Sequence, residues 1–313
     1  PIEKNVINIF YNLNPKALIE VMITFLLIAG ALVGLVSSFF GVGACFIMVP
    51  VMIYSFETFM KVPPSLAPLI AFGTNMAVVV PTSLSGVLRH RRELRSRGLS
   101  FPLKHYVSFG IPVGFGSFVG SLLAFVFFSS FRAEAGIVLK TIFGAFCLVG
   151  AYRFLSAKPI PIKDLAEPSL PKYAGSGLLS GILAHFIGIG GGIVYMPVLN
   201  LLGVPIHLAV GLSLATMLIG SSVGALSFGL LGHIDQLRYA AEYPPYTFGW
   251  FNLTSFLALG FTSILLAQVG PRLAHRTSPK KFKFLLAVLY IYIGLRLIIR
   301  GLYQIQGLAP PLP

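Results

Sequence analysis

Acidic residues are scarce in this chain: nine Asp and Glu stand against 23 Lys and Arg in 313 residues. Charged residues make up only 10% in total, where a soluble domain carries about 25%. With 56% hydrophobic residues, too little polar side chain remains to cover a water-soluble globule. A cytosolic enzyme and a disordered tail are both excluded. Cysteine is equally scarce. Cys45 and Cys147 both lie in apolar surroundings and cannot build a disulfide framework. The first sixteen residues, with Glu3, Lys4, Asn5 and Asn8, lack the basic-then-apolar order of a removable signal peptide. What remains is an integral membrane protein.

The net charge of +14 would suit a nucleic-acid partner, but the basic residues gather in short loops between long apolar runs. That is the topogenic pattern of membrane proteins, so no nucleic-acid partner is expected. Apolar runs fall near 17–40, 44–56, 66–88, 105–130 and 136–155, and again near 174–187, 191–203, 206–231, 248–269 and 284–303. A Pro- and Lys-bearing linker, 156–173, divides an N-terminal set, 17–155, from a C-terminal set, 174–303, with tails at 1–16 and 304–313.

The two sets repeat each other. Phe39–Pro50 aligns without gaps on Phe186–Pro197 at an offset of 147. Gly73-Thr74-Asn75 aligns on Gly211-Leu212-Ser213 at an offset of 138, with Ser83 on Ser221 and Gly86 on Gly224. Loop charge orients the repeats. The third-to-fourth loop of the first half carries Arg89, Arg91, Arg92, Arg95, Arg97 and Lys104, whereas its counterpart is nearly neutral. The fourth-to-fifth loops reverse this, with Arg272, Arg276, Lys280, Lys281 and Lys283 in the second half. If basic loops stay cytoplasmic, equivalent loops lie on opposite sides. The fold class expected is therefore an all-α polytopic membrane protein. It has two inverted-topology repeats of about five helical segments. Each half crosses five times, or three times if its first two runs form a re-entrant hairpin. Both counts put the termini outside the cell membrane and the linker in the cytoplasm. Runs 174–187 and 191–203 are short for a ~30 Å core, which predicts broken or half-length helices there.

The tips of these hairpins, Gly41-Val42-Gly43 and Gly188-Ile189-Gly190-Gly191-Gly192, carry most information. Glycines allow positive φ and close backbone approach, and a turn running into a helix aims free N–H groups at one point. Irregular backbone at membrane depth must be buried in protein or line a cavity. Two such tips related by the repeat would form an anion cradle. The competing reading is that the glycines only permit tight helix packing.

The paired Gly-rich turn and Pro, followed by Gly-Thr-Asn or Gly-Leu-Ser with a downstream Ser, resembles the TauE/SafE sulfite exporter family, the TSUP permeases. The likeness covers about 25–303 and is most specific over Phe186–Pro197 and Ala209–Leu214. It departs where Ala44-Cys45 replaces Gly-Gly and where Leu212 stands in place of a common Thr. The resemblance implies a carrier for sulfite, sulfonates or other small sulfur-containing or organic anions.

The polar residues agree with an anion. All nine acids, Glu3, Glu20, Glu57, Glu93, Glu134, Asp164, Glu167, Asp235 and Glu242, fall in tails, loops or near run ends, where no carboxylate-based cation pump is built. A coupling ion, H+ or Na+, is compatible, the latter on backbone carbonyls. Candidate donors are Thr74, Asn75, Ser83, Ser85, Ser213, Thr216, Ser221 and Ser222, with Asn75 and Ser213 first. Hydroxyl back-bonding within the helix is the alternative for each. His185 is the histidine nearest a Gly-rich turn and would bond an oxyanion or carry the coupling proton, or else simply pack. Cys45 would touch a sulfur substrate or serve as a small buried hydrophobe. Lys140, Arg153 and Arg300 fit snorkelling, and Arg296 sits deeper. Tyr195, Tyr246 and Trp250 either line a pathway or anchor and pack. An enzyme is not expected: G-x-S-x-G is absent, the histidines are scattered along the chain, and neither a metal cluster nor a cofactor motif is visible. Gly116 and Gly120 in GxxxG spacing serve either an oligomer or packing inside the protomer.

Overall fold

The computed structural model describes residues 15–43, 45–63, 66–131, 135–156, 165 and 167–305. Most of the two tails and half of the linker expected from sequence lie outside these residues, as do Ala44 and the side chains of Lys140, Arg153 and Arg300. The first half contains α1 (Pro15–Phe40), α2 (Cys45–Thr58), α3 (Ala67–Ser96), α4 (Leu103–Ser130) and α5 (Ala135–Ser156). The second contains α6 (Leu170–Phe186), α7 (Gly192–Leu201), α8 (Ile206–Arg238), α9 (Leu253–Leu266), α10 (Gly270–Arg276) and α11 (Pro279–Ile305). The chain is an all-α polytopic membrane protein. Among the described residues, six segments are long and apolar enough to cross a bilayer: Ile19–Phe40, Ala67–Ser96, Leu103–Ser130, Ile206–Arg238, Leu253–Arg276 and Pro279–Ile299.

The fourth run of the second half departs from its expected bounds. Residues Thr247–Phe248 and Phe251–Asn252 pair as a two-stranded antiparallel hairpin, with Gly249 at positive φ in its turn and Tyr246 at positive φ just before it. The helix starts only at Leu253, where the Asn252 side chain accepts from the Ser255 amide and so satisfies one of the free N–H groups of the first turn. It then breaks at 267–269, ahead of Pro271, which has no N–H to continue the ladder.

Helices α2 and α7 are short. At 14 and 10 residues and 1.5 Å per residue they reach about 21 and 15 Å, too little for a ~30 Å hydrocarbon core. Each also carries an internal proline, Pro50 and Pro197. The Pro197 ring leaves the carbonyl of Ile193, one turn earlier, without its helical donor. The Tyr290 hydroxyl of α11 donates to that carbonyl at 2.6 Å. Removing the hydroxyl in Tyr290→Phe strands a buried acceptor, and we expect a loss of about 1–3 kcal/mol, read as a lowered unfolding midpoint of the purified protein.

Contacts across the molecule recur in pairs. A methyl group added at Gly43 would meet Met217 Sδ at 3.1 Å, and one at Gly190 would meet Val79 Cγ2 at 3.4 Å. Likewise Gly41 lies on Val210 and Gly188 on Phe72, while Gly86 faces Ser38 and Leu214 and Gly224 faces His185 and Met76. Every one of these pairs is related by the offsets 147 and 138. A third offset, 150, was not visible in the sequence. Gly30 and Gly34 of α1 pack on Leu259 and Ser263 of α9, as Gly177 and Gly181 of α6 pack on Phe109 and Val113 of α4. Gly144 of α5 and Gly294 of α11 face each other's carbonyls. Gly116 and Gly120 are part of this scheme, because they let α4 close on the α6 backbone at Leu178 and Ile182. The GxxxG spacing thus serves packing inside the protomer. The third helix of each set, α3 and α8, lies innermost: 67% and 56% of their spans are buried, against 33–39% for the other four.

Candidate functional site

The two Gly-rich tips meet. Gly191 adopts φ +90° and caps α7, its carbonyl accepting from the Val194 and Tyr195 amides at 2.8 Å. Gly188 and Gly190 also take positive φ, at 77° and 68°, as Gly41 and Gly43 do at 71° and 79°. The α-carbon of Gly192 approaches the first tip so closely that an added methyl would fall 2.5 Å from the Val42 carbonyl carbon and 2.7 Å from Met217 Sδ. Backbone therefore touches backbone between the halves, and amide groups at the start of α7 converge on this junction.

Two hydroxyls of α8 hold the tips, and a side chain of α3 faces them. Ser213 Oγ donates to the Gly41 carbonyl at 2.6 Å, and Ser221 Oγ to the Gly190 carbonyl at 3.2 Å. Asn75 is fully buried, and neither its Oδ1 nor its Nδ2 has a partner. Its amide faces the second tip: a methyl on Gly190 would lie 3.5 Å from Asn75 Nδ2 and 3.7 Å from Ser221 Oγ. An amide with two donors and an acceptor left open in the protein interior is costly unless a ligand completes it. Thr216 Oγ1, one turn from Ser213 on α8, is also buried without a partner.

His185 approaches α8 at the same level. Its Nδ1 lies 3.1 Å from the Gly181 carbonyl and its Nε2 is buried without a partner. A methyl at Gly220 would meet Tyr195 Oη at 2.7 Å, Ser117 Oγ at 3.1 Å and His185 Cε1 at 3.2 Å. Three polar side chains from α4, α6 and α7 thus converge on α8 beside Ser221. Ser117 also donates to the Val113 carbonyl within α4.

Other expected donors are used elsewhere. Thr74 Oγ1 accepts the Asn252 amide at 3.0 Å and anchors the hairpin before α9. Ser83 Oγ donates to Val80 in its own helix, and Ser85 Oγ to Ile264 of α9. Cys45 is buried in the hydrophobic core at the start of α2. Trp250 is buried and tucks its backbone against Gly73, whereas Tyr246 is 77% exposed. Arg296 lies half-buried on α11, nearly two turns beyond Tyr290.

Among the described residues no Asp or Glu is buried, and Lys283 is the buried cation. No group of His, Cys, Asp and Glu among them is arranged to hold a metal ion.

A family model, Sulfite exporter TauE/SafE, matches residues 26–297, spanning both tips and all of these side chains. The chain belongs to the TauE/SafE family. Curated relatives similar to this TauE/SafE protein carry the name probable membrane transporter protein. The one from Methanocaldococcus jannaschii is 26% identical over 277 residues, covering 88% of this chain and 94% of the relative. Those of Bacillus subtilis and Haemophilus influenzae are 25% and 27% identical, covering 89% and 88% of this chain and 98% and 100% of the relatives. No solved structure matches it.

The histidines scattered in the sequence of this TauE/SafE chain are partly gathered in space. His90 Nδ1 and His275 Nε2 lie 3.2 Å apart, with rings centred 4.4 Å from each other. His207 stacks on His275 at 5.8 Å. Arg97 closes the cluster by donating to the His275 carbonyl at 2.8 Å. It joins α3, α8 and α10, and through Phe282, which meets His207 on one side and Phe39 and Phe40 on the other, it reaches the helix end that leads into the first tip. Sequence reasoning missed it because its members are separated by more than 60 residues. Tyr290 and Met217 were missed for a different reason. Pro197 announced that a carbonyl would need a donor, but nothing in the sequence said which helix would supply it.

Proposed function

We propose that this chain is a secondary transporter that moves a small sulfur-containing or organic anion across the cytoplasmic membrane by alternating access. The substrate is held near the midplane between the turns 41–43 and 188–192. The unpartnered Asn75 amide, buried opposite the Gly190 turn and beside Ser221, carries this reading. Amide and hydroxyl donors ligate a sulfonyl or carboxylate oxygen without the fixed positive charge that would trap it. The absence of buried carboxylates among the described residues removes the repulsion an anion would meet, and the helix start at Gly192 adds free N–H groups.

Alternating access fits two halves whose contacts recur at fixed offsets, which supports an inverted repeat of five segments each. In this reading both termini face outward, and the coupling ion is H+, with His185 as its carrier, or Na+ on the turn carbonyls. A carrier is favoured over an open anion channel by the backbone contact between Gly192 and Val42, which closes the centre. An enzyme is not proposed, because the matching family and the curated relatives are named as exporter and membrane transporters.

The test is flux into liposomes holding the purified protein, with sulfite and a short alkyl sulfonate as probes. A carrier gives saturable entry that accelerates when unlabelled anion waits inside, whereas a pore does not. Gly190→Leu, which fills the space before Asn75, is expected to reduce flux at least about tenfold, and Ser213→Ala by a smaller factor, since one hydrogen bond to a turn carbonyl is worth about 1 kcal/mol. Unchanged flux in Gly190→Leu would remove the tips from the pathway.

A further inference from the structure

The arginines in the last turns of the third helix do more than signal orientation. Along α3, residues 84, 88, 91 and 95 follow one another at helical i+4 and i+3 spacing and share one face. Leu84 and Leu88 are 46% and 45% exposed, and in a membrane protein an exposed leucine meets lipid. One turn further the same face becomes Arg91 and Arg95, with Arg92 beside them, all three exposed. The face thus passes from acyl-chain to headgroup chemistry.

The chain then folds back. Gly98 takes φ +70°, and the Leu99 amide returns to the Leu94 carbonyl at 3.0 Å. The returning segment places Leu99 and Phe101 beneath the arginines, and the Arg91 guanidinium sits 5.9 Å from the Phe101 ring centre. The result is an open groove of about 560 Å³ with three guanidinium groups, a leucine on its lipid side and no acid in its lining. The neighbouring charges are committed elsewhere: Arg89 pairs with Glu93, Arg97 donates to His275, and Lys104 pairs with Glu167 at 3.2 Å. Beyond the turn, Leu103 and Val107 begin another exposed apolar face, on α4.

We propose that this groove is a binding site for the phosphate of an anionic phospholipid in the leaflet on the arginine side. The phosphodiester is held by Arg91, Arg92 and Arg95, and one acyl chain runs along Leu88 and Leu84. Guanidinium forks match phosphate oxygens bidentately. Basic pockets at the cytoplasmic ends of spanning helices are suited to acidic headgroups. The site depends on the membrane placement of α3 and not on which anion the protein carries.

The full-length protein is placed in nanodiscs of phosphatidylcholine alone or mixed with phosphatidylglycerol. Retained lipid is counted by native mass spectrometry, and the unfolding midpoint is followed in parallel. The wild type is expected to retain phosphatidylglycerol over phosphatidylcholine by about tenfold and to melt higher in the mixed discs. R91Q/R92Q/R95Q is expected to lose both the preference and the shift. The control R276Q/K280Q/K281Q removes as many exposed charges from the other basic loop and is expected to keep both. Equal loss in the two variants would reduce the effect to general surface charge and overturn the site. So would an equal rise in midpoint when inorganic phosphate is added to phosphatidylcholine discs, since the ligand would then be a free anion. R92Q alone, which leaves the Arg91–Phe101 contact in place, should still lower the preference at least about twofold, a result that holds the proposal to account if the triple variant does not fold.

Discussion

Gly192→Ala is expected to abolish transport and to destabilise the fold, although it adds a single methyl group. The position has ordinary helical φ, so the cause is space and not backbone conformation. The new carbon would lie 2.5–2.7 Å from the Val42 backbone and from Met217 Sδ. Met217 can rotate away; the Val42 backbone cannot without moving the first turn. Overpacking of this kind costs about 1–3 kcal/mol, and here it also separates the tips. Gly190→Ala provides the contrast. Its methyl would meet nothing closer than 3.4 Å, so the cost is mainly that of holding alanine at φ +68°, about 1–2 kcal/mol. Thermal unfolding should therefore rank Gly192→Ala as at least as destabilising, and anion flux in liposomes should be lost in it. A Gly192→Ala protein with wild-type flux would mean that the tip junction plays no part in the transport cycle.

Asn75→Leu should separate stability from activity. Leucine keeps the branched heavy-atom skeleton of asparagine and has no polar atoms. Because both amide atoms of Asn75 are buried without partners, removing them relieves an unpaired polar group worth about 1–3 kcal/mol. The substituted protein should melt at or above the wild-type temperature while its anion flux falls by about tenfold or more. Ser213→Ala should behave differently, because that hydroxyl already has a protein partner at 2.6 Å, and it should lose stability together with flux. If Asn75→Leu melts lower and transports normally, the amide is a packing element and the ligand site lies elsewhere.

Much of this arrangement was legible in the sequence, and the exceptions have physical causes. Apolar runs located the helices because a bilayer demands about 20 apolar residues per crossing. Helix α3 nevertheless continues eight residues past its apolar run, to Ser96, since a helix needs no hydrophobicity once it has left the membrane. The gapless match of Phe39–Pro50 on Phe186–Pro197 identified both tips, because glycine there answers to close backbone approach, which few other residues tolerate. Hydroxyl residues were less readable. Thr74 and Asn75 are neighbours in sequence, yet adjacent helical residues point about 100° apart, and Thr74 turns to the Asn252 amide while Asn75 faces the tip. Sequence proximity to a motif does not decide which face a side chain occupies. The Tyr290 hydroxyl and the His90–His207–His275 cluster both depend on tertiary neighbours, and no local pattern encodes them.

The backbone-to-backbone junction of Gly192 and Val42 has a consequence for how selectivity can diversify. A surface made of main-chain amides is the same whatever the sequence around it, and a position that accepts no methyl group offers nothing to vary. If the tips bind the anion as proposed, the chemistry that substitution can reach there lies mainly on side chains of α3 and α8, among them Asn75, Val79, Met217 and Ser221. On that proposal, a change of cargo is written on those two helices, with the tips left as they are.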